Sequence, residues 1–177
     1  MTKYNSKAKE VAIIGLIIAV LIVSKLAFAS LPNIELVSFL IIFFTKKFGK
    51  SMLFVIPAYI ILETLIFGFN IMWVTAYCYI WPILYLITRI FGKTESAVSL
   101  SVLSGLFGLF FGFLCSFPYL FITTGTNPDA SLTSAITWWV AGIPYDIIHG
   151  VSNFIIMLAL YKPVSAVFDR ITANQSK

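Results

Sequence analysis

Between Trp138 and Asn153 the chain reads Trp-Trp-Val-Ala-Gly-Ile-Pro-Tyr-Asp-Ile-Ile-His-Gly-Val-Ser-Asn, followed by the wholly apolar run Phe154 to Leu160. On a helix that advances 100° per residue, Trp139 and Asn153 fall within about 20° of Asp146, and His149 within about 60°. Gly142 and Gly150 share that sector. One face therefore carries an indole, a carboxylate, an imidazole and a carboxamide, with room beside them. A carboxylate at the centre of a membrane helix costs about 2.5–3.5 kcal/mol on insertion scales, so a chain keeps one only with a partner or a task. Three tasks are open. The groups can contact a polar solute. Asp146, His149 and Glu63 can act as acid–base groups of an intramembrane enzyme. Or all of them can hydrogen-bond between helices, as in a structural scaffold.

The surroundings of this face are those of a membrane. The 177 residues are 60% hydrophobic and 11% charged, and the mean hydropathy is +0.99. That excludes an ordinary soluble domain. The apolar runs are helix-length and lack the regular turn signals of a membrane barrel. The net charge of +5 is spread over short connections, an orientation signal and not a nucleic-acid surface. Cys78 and Cys115 lie far apart in apolar segments, and one histidine cannot build a multi-histidine site, so no metal or redox centre is expected. Gly49-Lys50-Ser51 and Gly92-Lys93-Thr94 resemble the end of a P-loop, but Phe44 and Ile87 stand where its first glycine belongs and no strand precedes either. No cofactor is expected, and no ATP binding by that means.

The expected architecture is all-α: a single integral membrane domain over 1–177, a six-helix bundle with segments at about 8–29, 34–48, 51–67, 73–91, 97–122 and 132–161. The first segment opens like a signal peptide and ends in Ala27-Phe28-Ala29, an A-x-A pattern; with Lys25 just ahead of it and five further segments behind, it reads as a retained helix. Ala8, Ala12, Gly15 and Ala19 form a stripe of small residues along it, suited either to packing inside the bundle or to docking another subunit. The second segment is short, about 22 Å against a hydrocarbon core of about 30 Å, and starts at Glu35, where a carboxylate suits the helix dipole. Gly105, Gly108 and Gly112 predict tight packing of the fifth helix. The last segment is too long for an upright span, so Pro144 is expected to kink or divide it and Lys162-Pro163 to end it. The stretch 123–131 reads as a turn-rich loop.

Basic residues sort to one side. The N-terminus, the 45–50 and 92–96 turns and the tail hold Lys3, Lys7, Lys9, Lys46, Lys47, Lys50, Lys93, Lys162, Arg170 and Lys177, with Arg89 close by; the connections at 29–34, 68–72 and 123–131 hold none. The positive-inside rule then places both termini in the cytoplasm. Lys25, Glu35, Glu63, Asn70, Asp146 and His149 map to the outer half or the middle, together with Trp73, Tyr77, Trp138 and Trp139. Polar groups crowded among aromatics beside a short helix describe a small-molecule pocket open to the outside. With Lys25 set against Glu35, Glu63 and Asp146, that pocket leans acidic.

The run from Gly142 to Phe154, followed by Lys162-Pro163, resembles the last helix of the substrate-binding S components of energy-coupling factor (ECF) vitamin transporters. The stripe Ala8, Ala12, Gly15 and Ala19 is similar to the first-helix small-residue element of that family, with Leu16 occupying one step of a strict Ala-x-x-x-Ala spacing. The resemblance implies a non-enzymatic subunit of a bacterial cell membrane that captures a water-soluble vitamin or related micronutrient from outside, under the loops after helices one, three and five. It implies as partners a transmembrane coupling protein, which the stripe would engage, and two cytosolic ATPases. Lys25, Glu35, Glu63, Asn70, Trp73, Tyr77, Trp139, Asp146, His149 and Asn153 are the expected substrate contacts. The acidic lean favours cobalamin or a cationic vitamin over a bare carboxylate.

Overall fold

The computed structural model describes residues 3–122 and 128–174. They form seven α-helices and no strand: α1 Lys3–Ala27, α2 Val37–Phe48, α3 Met52–Phe67, α4 Ile71–Phe91, α5 Ala97–Leu109, α6 Phe111–Ile122 and α7 Pro128–Asn174, with one 3-10 turn, Gly49–Ser51, between α2 and α3. Among these residues five runs, not six, are long and apolar enough to cross a membrane: Lys7–Ala27, Val37–Phe67, Ile71–Phe91, Ala97–Phe121 and Ser131–Ala173. The exposed surface is strongly apolar, with Leu16, Phe54, Leu65, Val98 and Ile155 all more than half exposed. Tyr59, Leu84, Leu100 and Met157 fill the interior. A bundle apolar inside and out fits a lipid surrounding.

Local chemistry sets the helix ends. Asn70 caps α4: its side-chain oxygen accepts from the N–H groups of Met72 and Trp73 at 3.0 and 3.2 Å, the usual role of Asn at that position. The Glu35 carboxylate accepts from Ser38 N–H at 2.9 Å and so closes the first turn of α2, as the dipole argument expects. Gly49, at φ +53°, and Gly68, at φ +91°, adopt backbone conformations that end α2 and α3 and that L side chains rarely reach. α2 has 12 residues, about 18 Å of helix against a hydrocarbon core of about 30 Å. Its C-terminal end meets the 92–94 connection through Lys46, while Glu35 at its start meets His149. α3 then returns, so that Glu63 near its end lies beside Lys25.

Two expectations about the long helices change. α7 runs unbroken for 47 residues through Pro144 and Pro163, so the helix is neither divided at Pro144 nor ended at Lys162-Pro163, as the sequence had suggested it could be. Membrane helices tolerate proline when neighbours hold the segment in place. Here Phe168 packs edge-on against Phe43 and Phe48, both at 5.6 Å between centroids, and Asp169 pairs with Lys47 at 2.7 Å, so packing carries the helix past Pro163. The stretch expected as one helix over 97–122 is interrupted at Phe110. Beside that interruption the Gly112 N–H donates to Asp146 Oδ1 of α7 at 2.8 Å. Of the expected loop at 123–131, positions 128–131 are helical and 123–127 lie outside the described residues.

The glycines of α5 and α6 pack as expected. A Cβ on Gly108 would lie 2.8 Å from the His149 carbonyl oxygen, and one on Gly150 would lie 3.0 Å from the Gly105 carbonyl oxygen. Close backbone approach of this kind holds helices together where lipid gives no hydrophobic drive, and it fixes the face of α7 that carries Asp146, His149 and Asn153.

Candidate functional site

Lys25 projects from the last turn of α1. Its Nζ donates to Glu63 Oε1 at 2.5 Å and to the Tyr77 hydroxyl at 3.1 Å. It also stands 4.9 Å from the Tyr77 ring centroid and 5.2 Å from that of Phe67, within cation–π range. Three helices thus meet at one ammonium group. A second pair lies nearby: His149 Nε2 and Glu35 Oε1 are 3.1 Å apart. A carboxylate only accepts, so Nε2 carries the proton. Burial would raise the Glu35 pKa, but the hydrogen bonds from His149 and from the Ser38 N–H outweigh it and hold the carboxyl below its ordinary 4.5. Ser152 ties α7 to the same loop by donating to the Asn33 carbonyl oxygen at 3.2 Å.

Both pairs border a cavity of about 250 Å³ whose lining includes Lys25, Glu35, Tyr59, Trp73, Tyr77, Trp81, Phe111 and His149, closed on one side by residues of the 28–35 connection. Six of its lining side chains are aromatic: Phe28, Tyr59, Trp73, Tyr77, Trp81 and Phe111. Trp73, Tyr77 and Trp81 follow one another at helical spacing on α4, with centroids 6.1 and 5.4 Å apart, and Phe111 meets the His149 ring edge-on at 4.8 Å. Three buried polar atoms of lining residues lack a hydrogen-bond partner among the described residues: Tyr59 OH, Trp81 Nε1 and His149 Nδ1. A wider groove of about 570 Å³ between α4, α5 and α6 is lined by apolar side chains and Ser99, and offers a polar solute one hydroxyl and no charged side chain.

The structure brings Lys25, Glu35, Trp73, Tyr77 and His149 of the expected set to the cavity, and Glu63 to Lys25. It places the others elsewhere. Asn70 is the cap of α4. Trp139 packs on Phe113 at 5.0 Å. Asp146 takes the Gly112 N–H with one oxygen, and its other oxygen has no partner among the described residues. Asn153 is 1% exposed, with neither side-chain atom bonded. Tyr59, Trp81 and Phe111 were missed by sequence reasoning. Trp81 extends the spacing of Trp73 and Tyr77 by one turn, a signal that was available; Tyr59 and Phe111 sit in apolar runs that offer none. Of the small-residue stripe, Ala8, Ala12, Gly15 and Ala19 are all exposed, and a Cβ on Gly15 would meet nothing within 4 Å. The stripe does not serve packing among the described residues. Among those residues no group of three or more His, Cys, Asp or Glu is placed to hold a metal ion. No protein-family model matches the chain, and no curated protein or solved structure does either.

Proposed function

We propose that this chain is the membrane-embedded solute-binding subunit of an uptake system of the energy-coupling factor type, capturing a small water-soluble vitamin or related micronutrient. The observation that supports it is the cavity itself: aromatic residues in its walls, the Lys25–Glu63 and Glu35–His149 pairs at its rim and three polar atoms on residues around it that lack a partner among the described residues. Apolar lining with a few convergent polar groups is how small-molecule sites are built, and buried polar atoms without partners await something to bond. In this reading the cavity faces outward, both termini and the basic connections lie in the cytoplasm of a bacterial cell, and Val37–Phe67 turns back at Gly49, giving six membrane segments with α2 as a short one. The open stripe Ala8, Ala12, Gly15 and Ala19 docks a transmembrane coupling protein that works with two cytosolic ATPases.

Size and charge narrow the guest. A cavity of about 250 Å³ is below the roughly 300–1,000 Å³ usual for drug-sized ligands, which favours a single heteroaromatic ring system over cobalamin. Lys25 is neutralised by Glu63, while the Glu35 carboxylate accepts from His149 at the cavity wall. Aromatic faces beside a carboxylate suit a compact cation, or a neutral ring that accepts from Trp81 and Tyr59. The enzyme reading has less support: Glu63 pairs with Lys25, His149 with Glu35 and Asp146 with Gly112, and no two of Glu63, Asp146 and His149 hydrogen-bond to each other. Native mass spectrometry of the protein purified gently from rich culture tests the proposal. A single stoichiometric vitamin-sized adduct, lost in Trp81→Ala and Glu35→Gln, is expected. A clean apo mass together with no thermal stabilisation by any vitamin would refute it.

A further inference from the structure

At the opposite end of the bundle a second cavity, of about 260 Å³, is lined by Thr45 and Lys46 of α2, Thr88 and Arg89 of α4, and Gly92, Lys93 and Glu95 of the following connection. No aromatic ring lines it. Lys46 is fully committed: its Nζ donates to the carbonyl oxygens of Gly92 at 2.5 Å and Thr94 at 2.7 Å, and pairs with Glu95 Oε1 at 3.1 Å. Glu95 also accepts from the Tyr161 hydroxyl. Burial would raise its pKa, but the hydrogen bonds from Tyr161 and Lys46 outweigh that and keep it ionised.

The remaining groups are unused. Arg89 and Lys93 have no carboxylate partner among the described residues. The Thr45 and Thr88 hydroxyls, on residues 1% and 2% exposed, have no hydrogen-bond partner there either. A helical threonine usually bonds back to the carbonyl one turn earlier, as Thr64 does to Ile60 at 2.7 Å; these two do not. Lys46, Arg89 and Lys93 against Glu95 leave an excess of two positive charges. The two Gly-Lys-Ser/Thr tripeptides also end here: Lys93 lines the cavity, and Gly49 comes so near that a Cβ on it would lie 3.3 Å from Arg89 Nη1.

We infer that this cavity binds a phosphate-type oxyanion. Arg89 and Lys93 pair with its charged oxygens, the Thr45 and Thr88 hydroxyls donate to it, and the Lys46–Glu95 pair forms its fixed wall. Two cations and two hydroxyls approaching from two helices and a loop match a tetrahedral group, whose oxygens point in several directions, better than a planar carboxylate. The group can belong to an anionic phospholipid headgroup or be free inorganic phosphate. The inference stands independently of what the aromatic cavity holds.

The test uses the full-length protein in phosphatidylcholine nanodiscs with and without phosphatidylglycerol. Native mass spectrometry counts retained phosphatidylglycerol, and thermal unfolding is titrated with inorganic phosphate in the discs that lack it. Arg89→Gln with Lys93→Gln is expected to weaken binding by about tenfold or more, the loss of charge-assisted bonds. Thr45→Val with Thr88→Val, which changes no charge, weakens it several-fold. Lys162→Gln with Arg170→Gln removes equal charge outside the cavity and leaves binding unchanged. Retained phosphatidylglycerol without a phosphate response assigns the site to lipid; a saturable phosphate response alone assigns it to the free anion. Binding of neither, or an equal loss in the Lys162/Arg170 variant, overturns the inference.

Discussion

Replacing Glu63 by glutamine leaves the Lys25 ammonium at the rim of the aromatic cavity without its counter-charge. Opposite charges about 4 Å apart interact by about 4 kcal/mol at an effective dielectric constant near 20, and desolvation cancels part of that. The side chains of Lys25 and Glu63 are 23% and 11% exposed, so the pair sits between surface bridges, worth about 0.2–1 kcal/mol, and sealed ones, whose breakage costs about 3–5 kcal/mol. The Tyr77 hydroxyl and the rings of Tyr77 and Phe67 remain to hold the ammonium. Glu63→Gln should therefore cost about 2 kcal/mol, and Lys25→Met, which strands a carboxylate, about 3 kcal/mol. The double variant should cost about 3 rather than 5 kcal/mol, a coupling of about 2 kcal/mol. In a chain of this size each kcal/mol moves the melting temperature by about 2–4 °C, so Glu63→Gln should melt about 4–8 °C lower. Intrinsic tryptophan fluorescence during thermal unfolding in detergent, at low and high salt, reads this out. A coupling below about 0.5 kcal/mol, or one that vanishes in high salt, would show the pair to be a screened surface contact and sink the reasoning.

Three further outcomes follow from the same structure. Gly150→Val drives a side chain into Leu109 and the Gly105 carbonyl and should destabilise by about 1–3 kcal/mol or more, whereas Gly15→Leu, which meets open space, should leave the melting temperature unchanged and, on the proposed function, cut uptake and recovery of a complex with ATPase subunits. If Gly15→Leu spares both, the stripe is not a docking face. Tyr59→Phe removes a buried hydroxyl with no partner, so the ligand-free protein should be as stable as wild type or more so, while affinity for the retained solute, followed by isothermal titration, falls by about three- to tenfold. Because the folded Glu35 pKa lies below its ordinary 4.5, the stability it contributes is complete above that value and is lost as pH falls through the folded pKa. The melting-temperature gap between wild type and Glu35→Gln should narrow as the pH is lowered through the acid range below 4.5; a gap that widens on acidification would contradict the assignment.

Membrane character and the burial of polar groups at one end were legible because composition and charge distribution are properties of the whole chain. The site was only half legible. Helical spacing placed Trp139, Asp146, His149 and Asn153 on one face of α7, but it says nothing of height along the axis. From Trp139 to Asn153 is about 21 Å of helix, and only His149 lies level with the cavity. Asp146 meets Gly112 and Trp139 meets Phe113, each a packing partner on another helix that no periodicity reveals. Asn70 carried a legible cap signal, an Asn directly ahead of an apolar helical run, and belongs to that role. Pro163 misled because the penalty of a proline inside a helix depends on what packs around it, and Phe43, Phe48 and Lys47, far away in the chain, supply the packing beside it.

The Lys25–Glu63 pair also has a history in time. Lys25 leaves the ribosome 38 residues before Glu63, and at about 5–20 residues per second the interval is about 2–8 s. During those seconds the ammonium has neither the carboxylate nor Tyr77, and an unpartnered charge does not rest in hydrocarbon. Its place two residues from the end of α1 lets the side chain reach up to the headgroups and wait there. In the membrane orientation proposed above, α1 would then be held at a set depth until α3 arrives, and pairing with Glu63 would turn a surface anchor into a clasp between helices.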